Sequence, residues 1–159
     1  MAVMGMAQPL DLADADRLRA SGLRVTAARL AVLTTLREGG HQGVDAIADG
    51  VRQRVGTIST QGVYDVLRIF TAVRLVRRIE PAGSPALYEA RVGDNHHHLV
   101  CRSCGAVEDV DCAVGQVPCL QPARTAGYLI DEADVTYWGI CGECRDPARA
   151  GMVPGAQPN

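Results

Sequence analysis

Two Cys-x-x-Cys pairs, Cys101/Cys104 and Cys141/Cys144, constrain the fold of this chain more than any other feature of its sequence. A pair of this spacing in a tight turn directs two sulfurs to one point, and two pairs supply the four thiolate ligands of a structural Zn(II) ion. Residues 105–140 separate the two pairs, a longer interval than in a compact zinc ribbon. We therefore expect the ion to join segments at the ends of a small sheet.

Other uses of the cysteines remain open at this point. A thioredoxin-type redox pair is the main alternative to zinc, although two pairs without a β-α-β pattern argue against it. A cytidine-deaminase site is not supported, because no His-x-Glu precedes a Pro-Cys-x-x-Cys. Cys112 and Cys119 stand outside the four-cysteine pattern, and they are candidates either for a redox pair or for buried apolar packing.

Charge is divided unevenly along the chain. Residues 17–91 contain twelve Arg and six acidic residues, whereas residues 93–159 contain four Arg and nine acidic residues. The first part is therefore suited to a polyanionic partner and the second is not. No run of roughly 18 apolar residues occurs, so no membrane span is predicted. The acidic N-terminus does not resemble a signal peptide, and we expect a cytoplasmic protein.

Hydrophobic spacing and end signals in the first half predict four helices followed by a hairpin. The fourth helix begins at Ser59 or Thr60, and Val63, Leu67 and Phe70 form its apolar face. Pro and Gly residues interrupt the segment after it, which is typical of a hairpin loop. The predicted helices cover 11–21, 26–37, 47–55 and a stretch from 59 onward, and the predicted strands cover 75–79 and 86–89. This order describes a winged helix.

The second half is predicted to be mainly extended. Segments 98–101 and 106–110 flank a Cys-x-x-Cys-Gly turn, and 128–140 is predicted to form one or two further strands. The predicted fold class is therefore α+β, with a winged-helix DNA-binding domain at 10–91 followed by a small α/β metal-binding domain at 94–145. We expect a hinge at 90–95 and mobile tails at 1–9 and 147–159.

A histidine run, His96-His97-His98, precedes the first cysteine pair. On a strand, His96 and His98 point to one face and His97 points to the other. Two imidazoles on one face beside a metal cage favour a ligand pair for a second metal. His97 is expected to be exposed or to lie outside the ligand shell.

Four motifs together resemble the ferric uptake regulator (Fur) family over nearly the whole chain. They are Gly22-Leu23-Arg24-Val25-Thr26-x-x-Arg29, Val63-Tyr64-x-Val66-Leu67, His96-His97-His98-Leu99-Val100-Cys101-x-x-Cys104-Gly105 and Cys141-x-x-Cys144. The segment from Asp109 to Leu120 resembles the actinobacterial FurA/CatR-type redox-responsive branch, whose members usually control catalase-peroxidase expression. The resemblance implies a homodimer that is held together by its second domain.

The resemblance also implies a regulatory site for Fe(II), Mn(II) or Zn(II), metals that suit mixed imidazole and carboxylate ligands. Its ligands would come from both domains, so that metal binding would fix the angle between them. Asp109 occupies a position where many iron sensors have Glu and peroxide sensors have Asp. The implied ligands are His41, Glu89, His96, His98 and Asp109. A further family site is expected to be absent or altered, because Asn95 and Ala133 replace two of its histidines.

The fourth helix is expected to enter the DNA major groove. Tyr64 is the strongest candidate for a base contact, because it lies on the polar face and can pack on thymine methyl groups. Asp65 stands where the family often has Arg, so the operator is expected to differ from the usual family sequence. The candidate DNA-contacting residues are Arg24, Arg29, Ser59, Thr60, Gln61, Tyr64 and Arg77.

These features predict a metal-dependent, peroxide-responsive repressor of oxidative-defence genes that binds double-stranded operator DNA. It would carry structural Zn(II) and regulatory Fe(II) or Mn(II). An iron- or zinc-uptake regulator of the same family is the alternative. A zinc module that binds only protein would show no salt-dependent DNA affinity. No Ser/His/Asp or His-x-Glu arrangement supports an enzyme.

Overall fold

The computed structural model describes residues 11–81, 83–94, 96–111, 124–129 and 134–146. It divides the chain into two compact units, Met1–Val92 and Gly93–Asn159. The predicted tails at 1–9 and 147–159, together with Cys112 and Cys119, lie outside the described residues.

The first unit has the predicted order of four helices followed by a hairpin. The two strands pair antiparallel, with Arg77 opposite Glu89 and Ile79 opposite Leu87. The hairpin strands are shorter than predicted. The elements are α1 (Leu12–Ala20), α2 (Ala27–Gly39), α3 (Val44–Val55), α4 (Thr60–Ala72), β1 (Arg77–Ile79) and β2 (Leu87–Glu89). The winged-helix prediction is confirmed.

Side-chain caps fix where three of these helices begin. The Asp11 carboxylate accepts a hydrogen bond from the backbone N–H of Ala13, and the Thr26 hydroxyl accepts one from Arg29. Ser59, rather than Thr60, caps α4 by accepting from the N–H of Gly62. Such caps satisfy donors that have no partner within the helix.

The apolar face of α4 anchors it in the core of the first unit. Val63, Leu67 and Phe70 are fully buried, as predicted. They pack in a cluster with apolar residues of α1, α2 and α3. Since these three residues recur at helical spacing, the opposite face of α4 points away from the core.

A polar network also ties α1 to α2. The Asp14 carboxylate is fully buried. It accepts hydrogen bonds from the Thr34 hydroxyl at 2.9 Å and from Arg37 Nη1 at 2.9 Å. Arg37 Nη1 also donates to the exposed Asp11 carboxylate at 2.7 Å. Sequence reasoning missed this network.

The Asp11 contact predicts a specific dependence of stability on acid. The hydrogen bond from Arg37, together with that from the Ala13 N–H, lowers the pKa of Asp11 below its ordinary value of 3.8. A lowered folded-state pKa stabilises the protein above the unfolded value, and this contribution is lost as pH falls through the folded value. Asp11→Asn keeps a good cap and removes the charge.

We therefore expect Asp11→Asn to be less stable than wild type at neutral pH, with the difference vanishing well below pH 3.8. Urea unfolding at a series of pH values measures this. A difference that is constant with pH would show that the charge of Asp11 contributes nothing.

The second unit contains a three-stranded sheet in the order β4-β3-β5. β3 pairs antiparallel with β4 and parallel with β5. The two strands predicted around the Cys-x-x-Cys turn are confirmed, and the first of them begins earlier, at His96. The elements are β3 (His96–Cys101), β4 (Val107–Asp111), β5 (Thr136–Gly139) and the short helix α5 (Gly142–Arg145).

None of the helices in the described parts of the chain is long and apolar enough to cross a membrane.

Candidate metal sites and DNA-binding surface

The sheet of the second unit brings the two Cys-x-x-Cys pairs together. Cys101 ends β3 and Cys104 lies in the turn toward β4, while Cys141 precedes α5 and Cys144 lies within it. The four sulfurs all lie within 4.8 Å of one another. Cys104 Sγ is 3.8 Å from Cys141 Sγ, and a tetrahedron of Zn–S bonds has S–S edges of about 3.8 Å. All four residues are thiols rather than disulfides.

The four thiols differ in how readily they ionise. Burial opposes ionisation of Cys101, but backbone N–H groups, that of Cys141 foremost, outweigh it and bring its pKa down to about 6. The Ser103 hydroxyl favours ionisation of Cys144, yet the neighbouring cysteines outweigh it and raise the pKa of Cys144 to about 12. One thiolate therefore forms readily and discourages the next. A bound divalent ion would supply the missing positive charge and displace the remaining protons.

Trp138 lies on the strand beside β3, paired with Val100, the residue before Cys101. The guanidinium carbon of Arg102 lies 5.1 Å from the centre of the Trp138 ring, a cation–π distance. The backbone N–H of Arg102 also donates a hydrogen bond to the backbone carbonyl of Gly139 at 2.8 Å. Trp138 is the single tryptophan of the chain, so its fluorescence should report on the state of the cysteines.

A second group of metal-ligating atoms lies on one face of β3. His96 Nε2 is 3.8 Å from Asp109 Oδ1, and His98 Nε2 is 3.7 Å from the same oxygen. The antiparallel register explains this convergence, because Asp109 on β4 lies directly opposite His98. Both histidines are buried. Two imidazoles and one carboxylate form a set that suits Fe(II) and related divalent ions.

Two further carboxylates lie near the Nδ1 atoms of these imidazoles, the ring nitrogens that do not face Asp109. Asp94 Oδ1 is 2.8 Å from His96 Nδ1. Asp134 Oδ1 is 3.6 Å from His98 Nδ1. Sequence reasoning missed both residues, although the position of Asp94 two residues before His96 was visible in the sequence.

His97 points to the opposite face of β3, but the exposure allowed for in the sequence prediction is not observed. Its side chain is only 1% exposed. Its ring approaches that of Tyr137 edge-on, with 6.3 Å between ring centres. The neighbouring strand β5, which sequence reasoning could not pair with β3, explains this contact.

The first unit brings two other predicted ligands together. Backbone hydrogen bonds between Gln42 and Tyr88, at 3.0 and 2.9 Å, hold the segment after α2 against β2. His41 Nε2 consequently lies 3.0 Å from Glu89 Oε2. Glu89 is buried, and Arg77 Nε lies 4.0 Å from its other oxygen. The Arg77 side chain is only 18% exposed, so most of it is shielded from solvent beside this carboxylate.

The exposed face of α4 carries the side chains expected to meet DNA. Gln61, Tyr64, Asp65 and Arg68 are all exposed. Gln61 Nε2 donates to Asp65 Oδ1 at 3.3 Å, and Arg68 Nη2 lies 3.7 Å from the same oxygen. The carboxylate therefore sits between two side chains that can donate hydrogen bonds.

The other predicted DNA contacts have mixed surroundings. Arg24 is exposed, whereas Arg29 Nη1 donates to the Arg24 carbonyl at 2.9 Å and so also braces the turn before α2. The Ser59 hydroxyl accepts from Gly62 as a cap, and the Thr60 hydroxyl is 3.5 Å from Arg52 Nη2.

Comparison with known proteins yields matches along most of the chain. The model of the ferric uptake regulator family matches residues 20–136. The transcriptional regulator FurA of Mycobacterium tuberculosis is 53% identical over 130 residues, which cover 82% of this chain and 88% of that protein. Ferric uptake regulation protein 1 of Mycolicibacterium fortuitum is 52% identical over 141 residues, covering 89% of this chain and 86% of that protein.

Solved structures match as well. The ferric uptake regulator of Vibrio cholerae superimposes with a TM-score of 0.66 at 26% identity, covering 79% of this chain and 98% of that one. The similarity includes both units, because the aligned share exceeds the length of either unit alone.

Proposed function

The chain belongs to the ferric uptake regulator family of metal-responsive transcriptional regulators, and from this premise we propose that it is a peroxide-responsive repressor of oxidative-defence genes, including catalase-peroxidase genes. Members of the family are DNA-binding regulators rather than enzymes. The protein would act in the cytoplasm as a homodimer. It would bind a palindromic operator in double-stranded DNA when its regulatory site holds Fe(II) or Mn(II).

The convergence of His96, His98 and Asp109 carries this proposal. Two imidazole nitrogens approach one carboxylate oxygen within 3.8 Å, on a face of β3 that is buried. Two histidines and one carboxylate are a common set for Fe(II) that reacts with oxygen species. We propose that His41 and Glu89 complete a five-ligand site, as the family resemblance implies.

The four-cysteine cluster is proposed to hold structural Zn(II) and not to take part in sensing. Its sulfur spacing fits a closed tetrahedral site, and such a site leaves no open position for a reactant. Zinc there would join the end of β3 to the segment after β5.

DNA binding is proposed to use the exposed face of α4. Gln61 can donate to and accept from base edges, and Tyr64 offers a large apolar surface to thymine methyl groups. Arg24 and Arg29 are proposed to contact phosphates, as is Arg77 on the wing. Ser59 and Thr60 lie at the start of α4, where backbone N–H groups also favour a phosphate. This binding should weaken steeply with salt.

Peroxide sensing is proposed because Asp109 stands at the position where peroxide sensors of the family have Asp. Bound Fe(II) would activate peroxide, and a ligand imidazole would supply the two electrons overall: one peroxide oxygen would enter a ring C–H bond and the other would leave as water. His41 or His96 is the ligand expected to be oxidised. Loss of an imidazole ligand would weaken metal binding and release the operator. Cys112 and Cys119 are the alternative sensors, since either could be oxidised in place of a histidine.

The choice of metal separates these possibilities. We expect micromolar peroxide to abolish operator binding by the Fe(II) protein and to leave binding by the Mn(II) protein intact, because Mn(II) does not reduce peroxide under these conditions. Gel-shift measurements on zinc-loaded protein, with mass spectrometry of the histidine peptides, test this. If peroxide abolishes operator binding by both metal forms, the oxidised residues are the cysteines rather than a histidine ligand.

An iron- or zinc-uptake regulator without peroxide sensing is the second candidate. The name of the Mycolicibacterium fortuitum relative, a ferric uptake regulation protein, favours it. Under this alternative neither the Fe(II) form nor the Mn(II) form responds to peroxide, and operator binding follows the supply of one metal.

A further inference from the structure

We propose that Asp94 is a positioning residue for the regulatory metal: it holds the His96 ring in the tautomer that presents Nε2 to the ion. This inference rests on the proposed function, because it concerns a ligand of the proposed site. Asp94 itself is not proposed to bind the metal.

The contact between the two side chains is short. Asp94 Oδ1 lies 2.8 Å from His96 Nδ1, within the range of a strong hydrogen bond. Gly93 immediately before it has a φ of +83°, a left-handed conformation that favours glycine. The chain therefore turns just ahead of β3, and the turn brings the Asp94 carboxylate to the edge of the histidine that begins the strand.

The surroundings of the two groups differ. The His96 ring is 1% exposed, whereas the Asp94 side chain is 44% exposed. The Asp94 carboxylate therefore keeps contact with water. It can nevertheless accept a hydrogen bond from a buried ring and so fix that ring in place.

The chemistry of imidazole gives this contact a consequence. A neutral ring has one nitrogen that donates a hydrogen bond and one that carries a lone pair. A carboxylate can only accept, so Nδ1 must be the donor and the lone pair must lie on Nε2. That nitrogen is the one that faces Asp109 Oδ1 at 3.8 Å. A carboxylate partner also makes the ligating nitrogen a stronger base.

The other histidine of the pair is held differently. Asp134 Oδ1 is 3.6 Å from His98 Nδ1, too long for a direct hydrogen bond. The 2.8 Å contact of Asp94 is made with His96, so the tautomer of His96 is the one that this carboxylate fixes. We expect removal of this contact to affect His96 and not His98.

The first test uses zinc-loaded protein without regulatory metal. Long-range ¹H–¹⁵N NMR at mildly alkaline pH reports which nitrogen of each histidine carries the proton. Wild type should show His96 protonated on Nδ1, and Asp94→Ala should show a mixture that includes the Nε2–H form. Asp94→Asn should keep more of the Nδ1–H form than Asp94→Ala, because its amide oxygen can still accept from Nδ1 while its NH2 group can also donate to the other tautomer. An unchanged His96 in Asp94→Ala would overturn the proposal.

The second test measures Mn(II) affinity by electron paramagnetic resonance. Asp94→Ala should bind Mn(II) about 10- to 100-fold more weakly than wild type, the usual effect of losing such a partner. Asp94→Asn should fall between the two. Glu108→Gln is the matched control, because it removes an exposed acid from β4 that lies opposite Leu99, on the face away from His98. It should bind Mn(II) like wild type.

Three outcomes separate the possible roles. If Asp94→Asn loses as much affinity as Asp94→Ala, then Asp94 is a direct ligand and the positioning role is wrong. If Asp94→Ala binds like wild type, the contact has no function. Failure of the proposed regulatory site would instead appear as normal Mn(II) binding by His98→Ala, so the two failures can be distinguished. Thermal unfolding of each metal-free variant verifies that its fold is intact.

Discussion

Cys104→Ser is expected to produce a protein that no longer retains zinc and whose second unit no longer folds cooperatively. Structural zinc sites contribute about 10–16 kcal/mol of apparent binding free energy at neutral pH, and that energy is available to folding. The strands that the site joins are short, four to six residues in β3 and β5, and a small sheet alone is marginally stable. Serine cannot supply the fourth thiolate.

Zinc content per chain and Trp138 fluorescence measure this effect. In the folded protein the Trp138 ring packs against Arg102, and we expect its emission to shift to longer wavelength when the unit opens. Cys112→Ser makes the same chemical change outside the four-cysteine cluster and should retain zinc. Equal loss of zinc in both variants, or full zinc retention by Cys104→Ser, would contradict the assignment of the cage.

Arg37→Ala is expected to lower the free energy of unfolding of the first unit by about 2–3 kcal/mol, somewhat less than the loss of one partner from a fully buried pair. The change leaves the buried Asp14 carboxylate without its closest cation. The effect is reduced because Arg37 is 36% exposed and because the Thr34 hydroxyl still donates to Asp14. The midpoint of thermal unfolding should fall on the order of 10 °C.

Arg19→Ala is the matched control, because Arg19 pairs with Asp16 at 2.6 Å where both side chains are well exposed. An exposed pair contributes less than about 1 kcal/mol. Urea unfolding of the two variants compares a buried carboxylate with an exposed one. Similar losses of stability in both would mean that burial of Asp14 has no energetic consequence.

The helices and the convergence of the four cysteines could be predicted from local sequence signals. The cap at Ser59 and the spacing of Val63, Leu67 and Phe70 define α4 without knowledge of its neighbours. The Cys-x-x-Cys spacing alone similarly predicts that the four sulfurs converge, because zinc sites use pairs of this spacing. The alternation of side chains along a strand placed His96 and His98 on one face.

Features that depend on distant partners could not be predicted. The buried Asp14 carboxylate has its partners Thr34 and Arg37 on α2, and nothing in its own segment indicates them. His97 contacts Tyr137 because β5 lies beside β3, and sequence alone did not show that these strands pair. The hairpin register, which places Arg77 opposite Glu89, was likewise not predicted. Register is a property of two segments, and neither segment specifies it alone.

The central claim is that occupation of the regulatory site controls DNA binding. The most direct test is the affinity of zinc-loaded protein for promoter DNA from its own gene region, measured with and without saturating Mn(II), for wild type and His98→Ala. We predict that Mn(II) raises the affinity of wild type about 100-fold, equivalent to about 2.7 kcal/mol of coupling, and that His98→Ala loses this gain. Equal affinity with and without Mn(II) in wild type would contradict the account.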